Sequence, residues 1–160
     1  MIDAIDKAAG LTPQDQLYAA CRFRPEFVSG AEQCRDAVLQ PASDQGLSPA
    51  LRLALAQRIA ALNNDAALVA EYRELLATQQ PDATLLALAA GETELAQPLA
   101  AVARQADRVT LTPSLAEAND MALLAEAGLN NPQIVALSEL IAFVNFQTRV
   151  AAGLRLLRSL

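Results

Sequence analysis

The chain contains no histidine and no tryptophan, and only two of its 160 residues are cysteine. Without histidine, no mixed cysteine–histidine metal site can form, and two separate thiols are too few for a zinc site. Cys21 and Cys34 are also too few for a disulfide framework, and such sparse cysteine is typical of a reducing cytoplasm. The sequence therefore predicts a cytoplasmic protein that holds no metal and no cofactor.

Positive charge is also scarce: 12 lysines and arginines stand against 18 aspartates and glutamates, which gives a net charge of −6. Proteins that bind nucleic acids need a clustered cationic surface to displace counterions from phosphate. Anionic membranes attract the same kind of surface. The first ten residues contain two aspartates and a lysine, which argues against a secretory signal. The sequence thus predicts neither a nucleic acid nor a membrane as a partner.

Aromatic side chains make up only 4% of the chain, although 53% of its residues are hydrophobic. The hydrophobic excess is alanine and leucine, which are strong helix formers, whereas strands favour aromatic and β-branched residues. Pairs of a capping residue and a proline predict helix starts at Thr12-Pro13, Ser48-Pro49 and Asn131-Pro132. Pro25–Leu39 is expected to be a helix, and Asp65 is expected to cap another. We predict an all-α bundle of about seven to eight helices.

No long linker, repeat or low-complexity tract interrupts the sequence, so residues 1–160 are expected to form one all-α domain. We expect the loop from Gln40 to Gly46 to separate an N-terminal helical arm, residues 1–46, from a main bundle, residues 47–160, within this single domain. The last helix, predicted to start at Pro132, is apolar around most of its circumference. Such a helix must be covered on several sides. We therefore expect it at the centre of the bundle or in an interface between identical subunits.

Two segments of the bundle occur in a characteristic order. The first is Ser48-Pro-Ala-Leu-Arg followed by Gln57-Arg-Ile-Ala-Ala-Leu-Asn-Asn-Asp65, and the second runs from Ala127-Gly-Leu to Arg149. Together they resemble the helical hairpin and the C-terminal helix of the carboxymuconolactone decarboxylase / AhpD-like alkylhydroperoxidase superfamily. The resemblance covers roughly residues 48 to 158. It implies an AhpD-like helical bundle that assembles into homo-oligomers.

For the peroxidase branch, the resemblance also implies a glutamate, a Cys-x-x-Cys pair at a helix start, and a histidine four residues after the second cysteine. A helix N-terminus favours thiolate, and the glutamate and histidine move protons. In this sequence Asp65 and Leu68 stand at the cysteine positions. Leu53 and Tyr72 replace the glutamate and the histidine. A carboxylate cannot attack a peroxide and leucine cannot resolve a disulfide, so dithiol peroxidase chemistry is not expected here.

Cys21 is the first alternative source of chemistry. Arg22 and Arg24 follow it closely, and a cationic setting lowers the pKa of a thiol. A single-cysteine peroxidase or a redox sensor is therefore one interpretation of Cys21. The other interpretation is structural, because free cysteines are usually small buried hydrophobic residues.

Asp65, Glu71 and Tyr72 form a second candidate site. Asp65 and Tyr72 are seven residues apart and share one helix face, and Glu71 lies beside them. Carboxylates and tyrosine can both transfer protons, so these residues could serve as a general acid and base. The structural interpretation is a helix cap next to a solvated helix face.

Asn145 and Arg149 are weaker candidates for binding. They are four residues apart on the apolar last helix, so they point in a similar direction. If both were buried, each would need polar partners. A polar network between helices or subunits is one hypothesis for this pair, and contact with a ligand is the other.

Three functional hypotheses follow from these residues. The favoured one is a member of this superfamily without catalysis, which acts as a binding or partner subunit toward another protein or a small ligand. The second is a peroxidase that uses a non-standard thiol such as Cys21. The third is a lyase or isomerase without cofactor that uses Asp65, Glu71 or Tyr72.

Overall fold

The computed structural model describes residues 2–160, and every regular element within them is helical. This confirms the all-α prediction. These residues form nine α-helices, against about seven to eight expected, because a helix of six residues near the N-terminus is too short to leave a clear sequence pattern. The helices are α1 (Ala4–Ala9), α2 (Gln16–Cys21), α3 (Pro25–Leu39), α4 (Pro49–Leu62), α5 (Ala66–Thr78), α6 (Ala83–Ala90), α7 (Leu99–Leu111), α8 (Ala118–Glu126) and α9 (Asn131–Arg158).

Short polar side chains begin the two helices that form the central hairpin. The hydroxyl of Ser48 accepts a hydrogen bond from the N–H of Leu51 at 3.2 Å, and Pro49 is the first residue of α4. The carboxylate of Asp65 accepts from the N–H of Leu68 at 3.2 Å at the start of α5. Such caps satisfy N–H groups that have no partner inside the helix. Both predicted starts are confirmed.

Two other predicted starts are wrong in position. Asn130, rather than Asn131, caps α9: its side chain accepts from the N–H of Gln133 at 3.0 Å, and the side chain of Gln133 accepts from the N–H of Asn130 at 2.9 Å. This reciprocal arrangement is a capping box. The Thr12-Pro13 pair lies in a turn, because the carboxylate of Asp15 accepts from both the N–H and the hydroxyl of Thr12, at 2.7 and 2.8 Å. Helix α2 therefore begins only after Asp15.

Helix α4 lies at the centre of the fold and contacts α3, α5, α6, α7 and α9. Every residue from Arg52 to Ala60 is buried, and Leu55 and Ile59 are fully enclosed. Burial of one such side chain stabilises the fold by about 1.5–3 kcal/mol. The central hairpin formed by α4 and α5 is thus the part of the core on which the other helices assemble.

A buried arginine joins the N-terminal helices to this core. The guanidinium of Arg52 donates to the backbone carbonyls of Leu47, Val38 and Asp44 at 2.7, 2.8 and 2.9 Å. Burial lowers the pKa of Arg52 from its ordinary value. Because its three acceptors lie at the end of α3 and in the loop that follows, the side chain of Arg52 fixes that loop against α4.

Helix α9 contacts α1, α3, α4, α7 and α8 along its length. By length and composition alone it is the one helix of residues 2–160 that could cross a membrane, with a mean hydropathy of 1.3 over its most apolar 18 residues. However, 56% of that window is buried inside the fold, as in the core helix of a soluble protein. The remaining residues of the helix form an exposed face.

Candidate functional site

Asp65 is the capping residue of α5, and its side chain is 2% exposed. Besides capping α5, it forms an ion pair with Arg155 of α9, with Nη2 at 2.7 Å from Oδ2 and Nη1 at 3.4 Å from Oδ1. The same Nη1 of Arg155 donates to the backbone carbonyl of Ala8 at 2.9 Å. Both carboxylate oxygens of Asp65 are therefore engaged in holding α5, α9 and α1 together.

Leu68 and Tyr72, three and seven residues after Asp65 along α5, are fully buried in the hydrophobic core. The hydroxyl of Tyr72 donates a hydrogen bond to Oε1 of Gln147 on α9. Burial raises the pKa of Tyr72 above its ordinary value of 10.0. The phenol therefore stays protonated at neutral pH and offers no base. Nε2 of Gln147 has no hydrogen-bond partner within residues 2–160.

Glu71 points toward a different helix from its two neighbours. Its carboxylate lies 2.6 Å from Nη2 of Arg35 on α3, and both side chains are largely buried. The groove next to the start of α5, about 470 Å³ in volume, is lined by Asp65 but by neither Leu68 nor Tyr72. The three candidates for acid–base chemistry thus each bind a separate partner.

Cys21 lies half-buried at the end of α2, and its setting is the opposite of the one expected. Burial first, and then the negative charge of Asp6, raise the pKa of the thiol, although Arg22 acts in the other direction. Arg22 forms an ion pair with Asp6, so much of its charge is already neutralised. The expectation of a lowered thiol pKa at Cys21 is therefore wrong. Cys34 is exposed on α3.

Asn145 lies on the buried face of α9, whereas Arg149 lies on its exposed face. Asn145 is buried: its amide donates to Thr110 and to the carbonyl of Ile141, both at 3.0 Å, and it accepts from Asn63 at 3.1 Å. Arg149 is exposed and forms no ion pair within residues 2–160. The two residues therefore do not form one buried network, and Asn145 alone links α9 to α7 and to the end of α4.

A second polar cluster lines a groove of about 530 Å³ formed mainly by α7 and the loop before it, with Arg58 of α4 at its wall. Arg58 is buried there, and its Nε and Nη2 donate to the two carboxylate oxygens of Asp107, each at 2.7 Å. Arg108 donates to a backbone carbonyl at 2.9 Å, and Arg104 is exposed on the same wall. Three guanidinium groups therefore line this groove with one carboxylate among the described residues.

The partners of these side chains were not accessible to sequence reasoning. Arg155 lies 90 residues from Asp65, and Gln147 lies 75 residues from Tyr72, so no local spacing connects them. The only available signal was a polar residue on an otherwise apolar helix. Within residues 2–160, no group of three or more histidine, cysteine, aspartate or glutamate side chains is placed to hold a metal ion.

The fold is similar to that of a known structure. The crystal structure of an uncharacterized peroxidase-related protein from Silicibacter sp. TM1040 matches this chain with a TM-score of 0.71 and 17% sequence identity. The match covers 95% of this chain and 79% of that protein. No family model and no curated protein sequence matches. At this identity the likeness shows a shared all-α fold, and function has to be argued from the site itself.

Proposed function

We propose that this protein belongs to the carboxymuconolactone decarboxylase / AhpD-like superfamily and acts as a non-catalytic binding or partner subunit of a cytoplasmic homo-oligomer. Two observations support the kinship. The segments from Ser48 to Asp65 and from Ala127 to Arg149 resemble that superfamily, and the fold matches a peroxidase-related protein. The comparison concerns the fold, so the loss of catalysis rests on the side chains of this chain.

The observation that carries the proposal is the filled space around Leu68 and Tyr72, which the groove next to Asp65 does not reach. Asp65 is held by a cap and an ion pair, and Leu68 and Tyr72 are enclosed in the core. Catalytic sites are usually concave and lined by a few converging polar groups. Here the polar groups are used to join helices, which is what a structural scaffold requires. A lyase or isomerase would need Tyr72 or Asp65 to reach a substrate.

The test is peroxide consumption by the pure protein. Hydrogen peroxide and tert-butyl hydroperoxide are supplied with dithiothreitol, and the rate is compared with that of a variant carrying Cys21→Ser and Cys34→Ser. We expect both proteins to add nothing to the rate of dithiothreitol alone. A faster rate in the wild type that disappears in this double variant would contradict the proposal, and loss of that rate with Cys21→Ser alone would identify Cys21 as a peroxidatic thiol.

The arginine-lined groove favours a second candidate function, which is the binding of a small anionic ligand. Its volume lies in the range of small-molecule sites, and guanidinium groups match carboxylate and phosphate oxygens. Arg104 has no ion-pair partner within residues 2–160, so it is available to an oxyanion. Calorimetric titration with hexanoate, inorganic phosphate and uncharged hexanol tests this function. Hexanoate or phosphate is expected to bind and hexanol is not, with Arg104→Gln weakening and exposed Arg73→Gln preserving the binding.

A further inference from the structure

We propose that two copies of this chain pair through the exposed face of α9, with the two helices antiparallel around a twofold axis at the height of Val144, on the side of α9 opposite to that buried side chain. The inference rests on the proposed homo-oligomer and names its contact surface. It does not depend on whether the protein is catalytically inert. Three features of α9 support it: the position of its exposed residues, their order along the helix, and the groove next to them.

The exposed face of α9 is a continuous stripe. Glu139, Ala142, Phe146 and Arg149 are exposed, and their spacing of three, four and three residues places them on one side of the helix. The ring of Phe146 is 47% exposed. This stripe is the side of α9 that the other eight helices leave uncovered.

The residues of this stripe are arranged so that two antiparallel copies of it complement each other. A twofold axis at the height of Val144 pairs each residue before Val144 with the residue equally many positions after Val144 on the second copy. Glu139 and Arg149 are each five residues from Val144, so a glutamate of one copy meets an arginine of the other. Ala142 and Phe146 are each two residues away, so a large ring meets a small side chain.

The same relation continues toward the ends of the helix. Val135, 56% exposed, and Gly153 are each nine residues from Val144. The paired stretch from Val135 to Gly153 is about 27 Å long at 1.5 Å per residue. A twofold interface uses one patch on both subunits, so every contact of this set occurs twice.

The charges in this stripe can pair between copies, although Glu139 also acts on the buried guanidinium of Arg52, whose pKa it raises against the effect of burial. Neither Glu139 nor Arg149 takes part in an ion pair within residues 2–160. In the antiparallel arrangement the two copies form two such pairs, one at each side of the axis. A parallel arrangement in register would instead place glutamate against glutamate and arginine against arginine. Charge therefore selects the antiparallel orientation.

A groove next to the stripe provides space for the projecting ring. It has a volume of about 660 Å³ and lies between α3 and α9, with Ala31, Cys34 and Ala142 among the residues that line it. Phe146 of a second copy, placed at the height of Ala142, reaches this groove. Phe27, which is 61% exposed on the α3 side, widens the apolar contact beyond α9 itself.

Charge reversal tests the interface. Dimer dissociation constants are measured by analytical ultracentrifugation for the wild type, Glu139→Arg, Arg149→Glu and the variant with both changes. Each single change places two like charges together at both ends of the contact, so we expect at least a tenfold weaker dimer. The double variant restores opposite charges and is expected to return to within about threefold of the wild type.

Glu74→Arg is the matched control, because Glu74 is an exposed glutamate on α5, away from the stripe. It is expected to leave the dissociation constant unchanged, and circular dichroism verifies that each variant is folded. Three results would overturn the inference. They are a wild type that stays monomeric at every concentration, single variants that dimerise as tightly as the wild type, or a double variant as weak as the single ones.

Discussion

Replacement of Asp65 separates a structural carboxylate from a catalytic one. In the structure this side chain caps α5 and pairs with Arg155. Asp65→Ala removes both contacts, whereas Asp65→Asn keeps a good capping oxygen and removes the charge. A structural role predicts graded losses of stability. If Asp65 were instead maintained for catalysis at a cost to the fold, its replacement would raise the free energy of unfolding, because active-site residues are often suboptimal for stability.

The magnitude follows from the contacts. Loss of a helix cap costs about 1 kcal/mol. The ion pair adds about 1 kcal/mol, because the side chain of Arg155 is 37% exposed and its charge is partly screened by solvent. We expect Asp65→Ala to lower the free energy of unfolding by about 2 kcal/mol and Asp65→Asn by about 1 kcal/mol. For a chain of this size, the loss expected for Asp65→Ala corresponds to a melting temperature lower by roughly 4–8 °C.

Urea unfolding followed by circular dichroism measures these values. Asp82 supplies the matched control, because it caps α6 through the N–H of Leu85 at 2.9 Å and forms no ion pair within residues 2–160. Asp82→Ala should cost about 1 kcal/mol and Asp82→Asn almost nothing. Equal losses for Asp65→Ala and Asp65→Asn, or a more stable Asp65→Asn, would refute this account of Asp65.

Two further predictions concern other buried groups. Burial holds the pKa of Tyr72 above its ordinary value of 10.0, so its contribution is intact below pH 10 and is lost as the pH rises further. The wild type should therefore lose about 1.4 kcal/mol more per pH unit above pH 10 than Tyr72→Phe, as measured by urea unfolding, with Tyr18→Phe as control. Because burial raises the pKa of Cys21, iodoacetamide at pH 7.5 should alkylate exposed Cys34 faster than Cys21. Mass spectrometry of the Cys21→Ser and Cys34→Ser variants measures the two rates separately. Faster alkylation of Cys21 would contradict its half-buried setting.

The sequence was sufficient to predict local structure where one residue type determines it. Pro25–Leu39 was predictable from the proline at its first position, and the caps at Ser48 and Asp65 were predictable because capping depends on residues three positions apart. Predicted helix boundaries were wrong where a neighbouring side chain competes for the hydrogen bonds of the capping residue. Asp15 holds the Thr12-Pro13 pair in a turn. Such competition depends on geometry that periodicity does not encode.

The site was only partly predictable for a related reason. The sequence identified Asp65 and Tyr72 as positions of interest, but their partners on α9 are distant in sequence. It also predicted a lowered thiol pKa at Cys21 from adjacent arginines, and the fold instead pairs Arg22 with Asp6. The exposure of Arg149 depends on where the other helices end against α9. These outcomes are decided by tertiary packing.

The central claim is that core side chains fill the space around position 68 of α5, so that no open pocket reaches it. A thiol introduced there measures this directly. The variant carries Leu68→Cys together with Cys21→Ser and Cys34→Ser, so that its single thiol lies at position 68. Its rate of alkylation by iodoacetamide is compared with the rate at exposed Cys34 in the natural chain. We predict alkylation slower than the reference by a factor of at least 100, and limited by unfolding. A rate close to that of Cys34 would mean that an open pocket reaches position 68, and would contradict the account.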